Sequence, residues 1–299
     1  MTPESPTSLS KAPAALPAVL SGSAFGCERE FLGNRYVYVV VSSRARGLSI
    51  GVNMNPDKLC NFNCVYCEVD RAAAAALKTL DVDVMADELQ HTLGLARSGK
   101  LHHLEHHLNT PSELLVIRHV ALSGDGEPTL CPNFLDAVQA VMHARALRKF
   151  PFFKIVLITN ASGLDLPDVQ NGLKLFTDSD EIWAKLDAGT QDFMEKVNRT
   201  ECPLEKILAN ILTVAQKRPV IIQSLFSRWN GDEPPAWEIE QYAQRLRELK
   251  ESGAQIPLVQ IYSATRPALQ TDCGHLPLKA LSQIAERVRE VSGLRAEVF

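Results

Sequence analysis

Apolar residues fall into two kinds of segment that alternate along the chain. Short runs rich in valine, isoleucine and leucine predict buried strands, and they lie at residues 36–43, 47–54, 114–124, 153–160, 181–188, 219–226 and 257–265. Longer segments with apolar residues at helical spacing predict helices, and they lie at residues 83–99, 132–147, 166–176, 203–217, 234–252 and 277–293. From residue 47 onward the chain therefore forms about six strand-then-helix units.

The uniformly apolar strands indicate the fold class. Strands that are apolar on both faces are typical of a parallel sheet covered by helices, so we predict an α/β protein. A length of 299 residues is long for one domain but common for an α/β barrel. No Pro- or Ser-rich linker divides the body of the chain, so we expect one domain at residues 31–299.

Residues 1–30 are predicted to be a flexible tail. They are rich in Pro, Ser and Ala, and their short apolar stretch is interrupted by Pro13 and Pro17. No basic residue precedes Lys11, which disfavours an export signal. We therefore expect a cytoplasmic protein in a reducing compartment.

Composition narrows the classes of function. Apolar residues make up 45% of the chain and charged residues 22%, as in ordinary globular proteins. The formal net charge of -4 gives no global electrostatic reason to expect a nucleic-acid partner. No apolar run approaches the roughly 18 to 20 residues that cross a bilayer, so no membrane partner is expected.

Three of the seven cysteines crowd into the segment KLCNFNCVYCE at residues 58–68. In a reducing compartment, an odd count with such a cluster favours a metal or redox site over disulfides. Zinc and iron–sulfur clusters normally take four protein ligands, yet after Cys60, Cys64 and Cys67 no Cys or His follows until His91. Three thiolates on a four-iron cluster leave one iron open, and open coordination is typical of catalytic metal sites.

The position of this cysteine loop also favours catalysis. The loop directly follows the first strand of the alternation, and active sites of parallel α/β folds gather at the carboxyl ends of the strands. The alternative is a structural zinc site with a distant fourth ligand such as Cys131 or Cys273.

The segment CNFNCVYC resembles the CxxxCxΦC signature of the radical S-adenosylmethionine (radical SAM) superfamily, with Tyr66 as the aromatic Φ. The resemblance implies a partial (β/α)6 TIM-like barrel, which agrees with the unit count above. SGDGEPTL (123–130) and LITNAS (157–162) resemble further superfamily motifs. AKLDAGT (184–190), VNRT (197–200) and QIYSATRP (260–267) resemble segments of the wyosine-synthase-like subgroup. The likeness covers roughly residues 47 to 270.

The resemblance also implies a mechanism and its residues. Cys60, Cys64 and Cys67 would hold a [4Fe–4S] cluster whose open iron binds S-adenosylmethionine (SAM), and reductive cleavage would give a 5′-deoxyadenosyl radical that abstracts hydrogen from a substrate. Glu127 is expected to contact the ammonium group of the cofactor. The full set of expected cofactor-binding residues is Tyr66, Ser123, Gly124, Asp125, Gly126, Glu127, Asn160, Ser162, Lys185 and Asp187.

Three basic residues are catalytic candidates. Lys185 and Asp187 share one face of their strand, and paired charges inside a barrel are costly unless they are used. The alternative for this pair is a structural ion pair. Arg199 and Arg266 are candidates for binding a carboxylate or phosphate of the substrate.

Three classes of substrate are compatible with this chemistry. We expect a small molecule or metabolite. The first alternative is tRNA-guanosine modification of the wyosine type, although only Cys27 lies upstream of the motif, where those synthases bind a second cluster. The second alternative is activation of a glycyl-radical partner protein. An electron donor such as flavodoxin or ferredoxin is expected for any of them.

Overall fold

A computed structural model describes residues 31–75, 77–264 and 272–299, so the expected tail at residues 1–30 lies outside the described residues. The strands in these ranges are β1 Val37–Ser42, β2 Gly47–Asn53, β3 Ile117–Ser123, β4 Lys154–Thr159, β5 Glu181–Lys185, β6 Ile221–Leu225, β7 Ser227–Trp229, β8 Val259–Tyr262, β9 Cys273–His275 and β10 Ala296–Val298. The helices are α1 Val82–Arg97, α2 Phe134–Ala146, α3 Pro167–Leu173, α4 Gln191–Asn198, α5 Leu204–Ala215, α6 Ala236–Glu251 and α7 Leu278–Ser292. Every predicted helix and strand is confirmed within a few residues, and the pattern missed α4, β7, β9 and β10.

Eight of these strands form one sheet in the order β1-β2-β3-β4-β5-β6-β8-β10. β1 pairs with β2 in antiparallel fashion, and every other neighbour in this sheet is parallel. Helices connect the parallel strands, as the strand-then-helix alternation predicted. The predicted partial (β/α)6 barrel is therefore confirmed.

The sheet curls until its two edges approach each other. Arg46, in the hairpin between β1 and β2, pairs with Glu297 of β10 at 3.7 Å. In the same hairpin, the Arg44 guanidinium carbon lies 4.3 Å from the ring centroid of Tyr262 at the end of β8. Both contacts join the first two strands of the sheet to its last two strands, so the barrel is closed on this side by side chains instead of by paired strands.

The two faces of the sheet differ in polarity. The convex face packs against the helices through aliphatic side chains with no exposed surface, among them Leu48, Ile50, Val52, Val120, Leu122, Ile155 and Leu157. Burial of each contributes about 1.5–3 kcal/mol relative to exposure, so this face stabilises the fold. The concave face, called the lumen below, carries polar side chains that include Ser49, His119, Lys185, Gln223, Gln260 and Tyr262.

A neutral histidine occupies the amino-terminal end of the lumen. The Nε2 atom of His119 lies 2.8 Å from the Ser49 hydroxyl, and its ring meets the Trp183 ring edge-on at 5.4 Å between centroids. Burial lowers the pKa of His119 to about 3, and the nearby cations of Lys154 and Arg44 add to the effect. The imidazole therefore carries no charge at neutral pH.

No helix among the described residues combines the length and the apolar character that crossing a bilayer requires.

Candidate functional site

The cysteine loop lies beyond the carboxyl end of β2 and is docked onto the end of α4. The backbone amides of Asn63 and Val65 donate to the carbonyl oxygens of Asn198 and Val197, both at 2.9 Å. The Thr200 hydroxyl donates to the carbonyl oxygen of Asn61 at 3.0 Å. The VNRT motif at residues 197–200 therefore fixes the backbone of the loop that carries the three thiols.

A side-chain network ties the same loop to the end of β4. The side-chain Nδ2 of Asn160 donates to Asn61 Oδ1 at 2.9 Å, and the side-chain Nδ2 of Asn61 donates to the Ser162 hydroxyl at 2.9 Å. Asn160 and Ser162 are each only 5% exposed. The structure thus brings these two expected cofactor residues to the cysteine loop, and their contact with a cofactor stays a prediction.

The thiols of Cys60, Cys64 and Cys67 are free and half-buried. Arg71 donates to Cys67 Sγ at 3.3 Å, and its guanidinium interacts electrostatically with all three sulfurs. Burial raises the pKa of Cys60 and raises that of Cys64 to about 11, so both must lose a proton to become metal ligands. Among the described residues no group of three Cys, His, Asp or Glu side chains is arranged to hold a single metal ion.

The glycines of SGDGEP let a second loop approach the cysteine loop closely. A Cβ atom on Gly124, whose φ is +141°, would lie 2.2 Å from Asn53 Oδ1. A Cβ atom on Gly126 would lie 2.0 Å from the carbonyl oxygen of Leu59, and this oxygen also accepts a 2.9 Å hydrogen bond from the Glu127 amide. Only glycine permits this approach to the residue that precedes Cys60.

Ser123 and Asp125 line the same loop. The Ser123 hydroxyl lies 3.0 Å from the Tyr38 hydroxyl, and Asn53 Nδ2 donates to Asp125 Oδ2 at 2.8 Å. Both side chains therefore have protein partners at the ends of β2 and β3, and their expected roles in cofactor binding stay predictions.

Glu127 is 2% exposed and its carboxylate faces protein donors. One oxygen accepts hydrogen bonds from the Thr129 amide, the Thr129 hydroxyl and the Thr159 hydroxyl, and the other accepts from the Asn160 amide at 2.7 Å. Burial raises the pKa of Glu127, while these hydrogen bonds oppose the rise. In this structure Glu127 joins the SGDGEP loop (residues 123–128, called the glycine loop below) to the end of β4. Its contact with the ammonium group of SAM stays a prediction.

A buried ionic cluster lies in the lumen below the cysteine loop. Asp187, 4% exposed, accepts hydrogen bonds from the Tyr66 hydroxyl, from Asn198 Nδ2 at 2.9 Å and from the Leu225 amide at 2.8 Å. The Lys185 ammonium lies 3.5 Å from Asp187 Oδ1. The expected residues Tyr66, Lys185 and Asp187 therefore form one connected group.

Lys185 is held as an ammonium ion. Its nitrogen lies 3.3 Å from the Tyr262 hydroxyl and 4.9 Å from the centroid of the Tyr66 ring. Burial alone would favour the neutral amine, but the Asp187 carboxylate outweighs this effect and raises the pKa of Lys185. The lumen therefore presents a fixed positive charge near the cysteine loop.

The other two basic candidates are placed differently. Arg199 ends α4 with a left-handed backbone, is exposed, and stacks its guanidinium 5.0 Å from the Trp229 ring centroid, apart from the Lys185 cluster. Arg266 lies outside the described residues.

Sequence reasoning missed Asn198, Asn61 and Arg71. The single atom Asn198 Nδ2 contacts Cys64 Sγ at 3.3 Å, the Tyr66 hydroxyl at 3.0 Å and the carboxylate of Asp187. The sequence signal that could have identified Asn198 is its position inside VNRT. That motif was singled out only because it resembles a segment of the wyosine-synthase-like subgroup.

Comparisons with known proteins agree with this architecture. No protein-family profile matches the chain. It is 31% identical over 187 residues to a UPF0026 protein of Helicobacter pylori, a match that covers 60% of this chain and 52% of that protein. The chain spans about half the length of the curated relatives it matches.

Two solved structures share the fold. TYW1 with a lysine-pyruvate adduct bound superposes with a TM-score of 0.55 and 16% identity, over 88% of this chain and 86% of TYW1. Streptococcus suis SuiB bound to S-adenosylmethionine superposes with a TM-score of 0.56 and 13% identity, over 82% of this chain and 49% of SuiB. Both are radical SAM enzymes. The chain has the radical SAM fold.

The residues at the mouth of this radical SAM fold fit an iron–sulfur cluster and SAM. Three thiols on one loop would supply three of the four sulfur ligands that a cubane cluster normally takes and would leave one iron open. Gly126 lets its loop lie directly against the Leu59 carbonyl group, next to Cys60. Asn55 lies against Gly126 and is 1% exposed, and neither the nitrogen nor the oxygen of its side-chain amide has a hydrogen-bond partner within the part of the chain that the structure describes. A bound group would supply the missing partner.

The substitution Glu127→Gln separates the two roles of this residue. We expect it to lower the free energy of unfolding of the metal-free protein by about 1–3 kcal/mol, because the amide group turns one acceptor into a donor that faces other donors. Urea denaturation measures the change, and Glu113→Gln, at an exposed carboxylate, is the matched control. Unchanged stability together with weakened SAM binding would contradict the structural role and favour contact with the ammonium group.

Proposed function

We propose that this protein is a radical SAM enzyme that acts on a small-molecule substrate in the lumen. Cys60, Cys64 and Cys67 would hold a [4Fe–4S] cluster, and the lumen would hold SAM and the substrate. When bound, this cluster supplies one electron that cleaves SAM to methionine and a 5′-deoxyadenosyl radical, which abstracts hydrogen. The observation that carries the proposal is the position of three free thiols on one loop at the mouth of a radical SAM fold.

The residues of the chain itself perform the positioning in this proposal. Asp187 orients the Tyr66 hydroxyl and holds the Lys185 ammonium, and Asn198 joins this pair to the cysteine loop. Lys185 would then attract a carboxylate of the cofactor or the substrate. Glu127 and Asn160 would hold the glycine loop and the cysteine loop at a fixed separation.

Lys185 is suited to electrostatic binding more than to covalent catalysis. TYW1 is known with a lysine-pyruvate adduct, which requires a neutral amine at some stage. In this chain the Asp187 carboxylate favours the charged form of Lys185. We therefore propose that Lys185 binds an anion without forming an imine.

Small molecules are favoured over tRNA as the substrate. The net charge of -4 provides no excess of cations for a polyanionic partner, and the polar side chains of the lumen are buried or half-buried, within reach of a small ligand. We further propose that flavodoxin or ferredoxin supplies the electron.

The direct test is cleavage of SAM by the anaerobically reconstituted protein. With dithionite as reductant, we expect methionine and 5′-deoxyadenosine in equal amounts by mass spectrometry. Adding cell extract that contains deuterated metabolites should move deuterium into 5′-deoxyadenosine and mark the substrate pool. Purification with stoichiometric zinc, and no cleavage after iron reconstitution, would refute the proposal.

A further inference from the structure

Arg44 is a lumen cation that the sequence analysis did not single out. It is half-buried in the hairpin between β1 and β2, and its guanidinium stacks on the Tyr262 ring at 4.3 Å. Its Nε atom is buried and has no hydrogen-bond partner among the residues that the structure describes. A buried donor without a partner is costly, so this atom requires an explanation.

The other lumen cations have carboxylate partners. Lys185 lies 3.5 Å from Asp187, and Lys154 pairs with Glu181. Arg44 forms no ion pair with any residue that the structure describes. His119 nearby is neutral, so within the described part of the lumen Arg44 is a positive charge without a carboxylate partner.

The neighbouring arginine of the same hairpin shows the contrast. The Arg46 side chain is 76% exposed, and it pairs with Glu297 at 3.7 Å. Arg44 differs in being directed into the barrel, where an unpaired charge loses hydration and gains no partner. The two residues differ in environment but carry the same charge, which makes Arg46 a matched control.

The geometry of the stacked guanidinium indicates which ligand would fit. Stacking uses one face of the group, and the edge formed by Nε and one terminal nitrogen carries two parallel N–H donors that match a carboxylate or phosphate. The Lys185 ammonium, which is paired with Asp187, lies 5.6 Å from the centroid of the same Tyr262 ring. His119 Nδ1, also buried and without a hydrogen-bond partner in the described ranges, provides a further polar atom near Arg44.

We propose that Arg44 binds the anionic group of the substrate, a carboxylate or a phosphate, inside the lumen. That the bound anion is then transformed rests on the proposed radical SAM function, whereas the binding itself does not require the cluster. Arg44 is thus a specificity-determining residue that anchors the substrate beside Tyr262.

The test follows the Arg44 side chain itself by nuclear magnetic resonance. The full chain, labelled with nitrogen-15 at arginine, is titrated with acetate and separately with inorganic phosphate, before and after cluster reconstitution. The Arg44 Nε–H signal is assigned by its loss in Arg44→Lys. We expect this signal to shift in a saturable way with at least one anion, and not with acetamide or with sodium chloride at equal ionic strength. The anion that shifts it identifies the source as a carboxylate or a phosphate.

Variants extend the test by calorimetric titration of the same anion. Arg44→Gln should weaken binding at least tenfold, Arg44→Lys should weaken it less, and Arg46→Gln should leave it unchanged. An unmoved Arg44 signal, or an equal shift with chloride, would overturn the proposal. A tenfold loss of SAM affinity in Arg44→Gln would overturn it as well, because the anion would then belong to the cofactor. Anion binding without SAM cleavage would refute the proposed function and leave the Arg44 site standing.

Discussion

Replacing Cys64 with alanine is expected to leave the reconstituted protein without a stable cluster and without cleavage of SAM. The substitution removes one of three sulfur ligands and also the acceptor of the 3.3 Å contact from Asn198. Iron content should fall from about four per chain to near zero, since cubane clusters need their cysteine ligands. The rate of SAM cleavage should fall by more than roughly 100-fold. A loss of about that size is the most that is typical when a residue that only supports a metal ligand is removed, so the loss of a ligand itself should exceed it.

The matched control is Cys202→Ala. Cys202 is a half-exposed free thiol whose sulfur has one weak contact, at 3.9 Å from the Pro203 carbonyl oxygen. It should keep full iron content and activity. Retention of about four irons per chain by Cys64→Ala would mean that the cluster is held elsewhere, and the assignment of the cysteine loop would then be wrong.

Replacing Gly126 with alanine is expected to disrupt the same site without touching a ligand. The new Cβ atom would lie 2.0 Å from the Leu59 carbonyl oxygen and 2.6 Å from Asn55 Cβ, so the backbone of one loop has to move. Overpacking of this kind costs about 1–3 kcal/mol. Because Leu59 directly precedes Cys60, we also expect a large loss of iron binding. Urea denaturation and iron analysis measure the two effects.

The control for this substitution is Gly94→Ala in α1. A Cβ atom at Gly94 meets nothing within 4 Å, and alanine favours a helix over glycine by about 1 kcal/mol. This variant should therefore be more stable than the wild type and should bind iron normally. Equal behaviour of the two variants would show that the close approach of the loops has no role in cluster binding.

The sequence was sufficient for the elements that hydrophobic periodicity defines. Long apolar runs predicted the central strands, and the amphipathic segments predicted six of the seven helices in the described residues. The helix α4 was missed because QDFMEKVN has only eight residues, too few for a clear period, and five of them carry charged or amide side chains. The strands β7, β9 and β10 have three residues each, which is below the length that a pattern can indicate.

The site was predictable where its chemistry is local in sequence. Three cysteines in eight residues predict a metal site, whereas the side chains that contact this loop come from far along the chain. Asn198 reaches Cys64 across 134 positions, and the donors that surround Glu127 include a hydroxyl 32 positions away. Arg44 meets Tyr262 only because the sheet curls until its edges approach. Such pairings depend on three-dimensional closure, which one-dimensional patterns do not contain.

The central claim is that three thiolates hold a four-iron cluster with one iron open to SAM. Mössbauer spectroscopy of the iron-reconstituted protein, recorded with and without SAM, tests it most directly. We predict about four irons per chain, one of which changes its isomer shift when SAM is added, because SAM adds ligands to that iron alone. A spectrum that SAM leaves unchanged, or a protein that retains only a single zinc ion after reconstitution, would contradict the account.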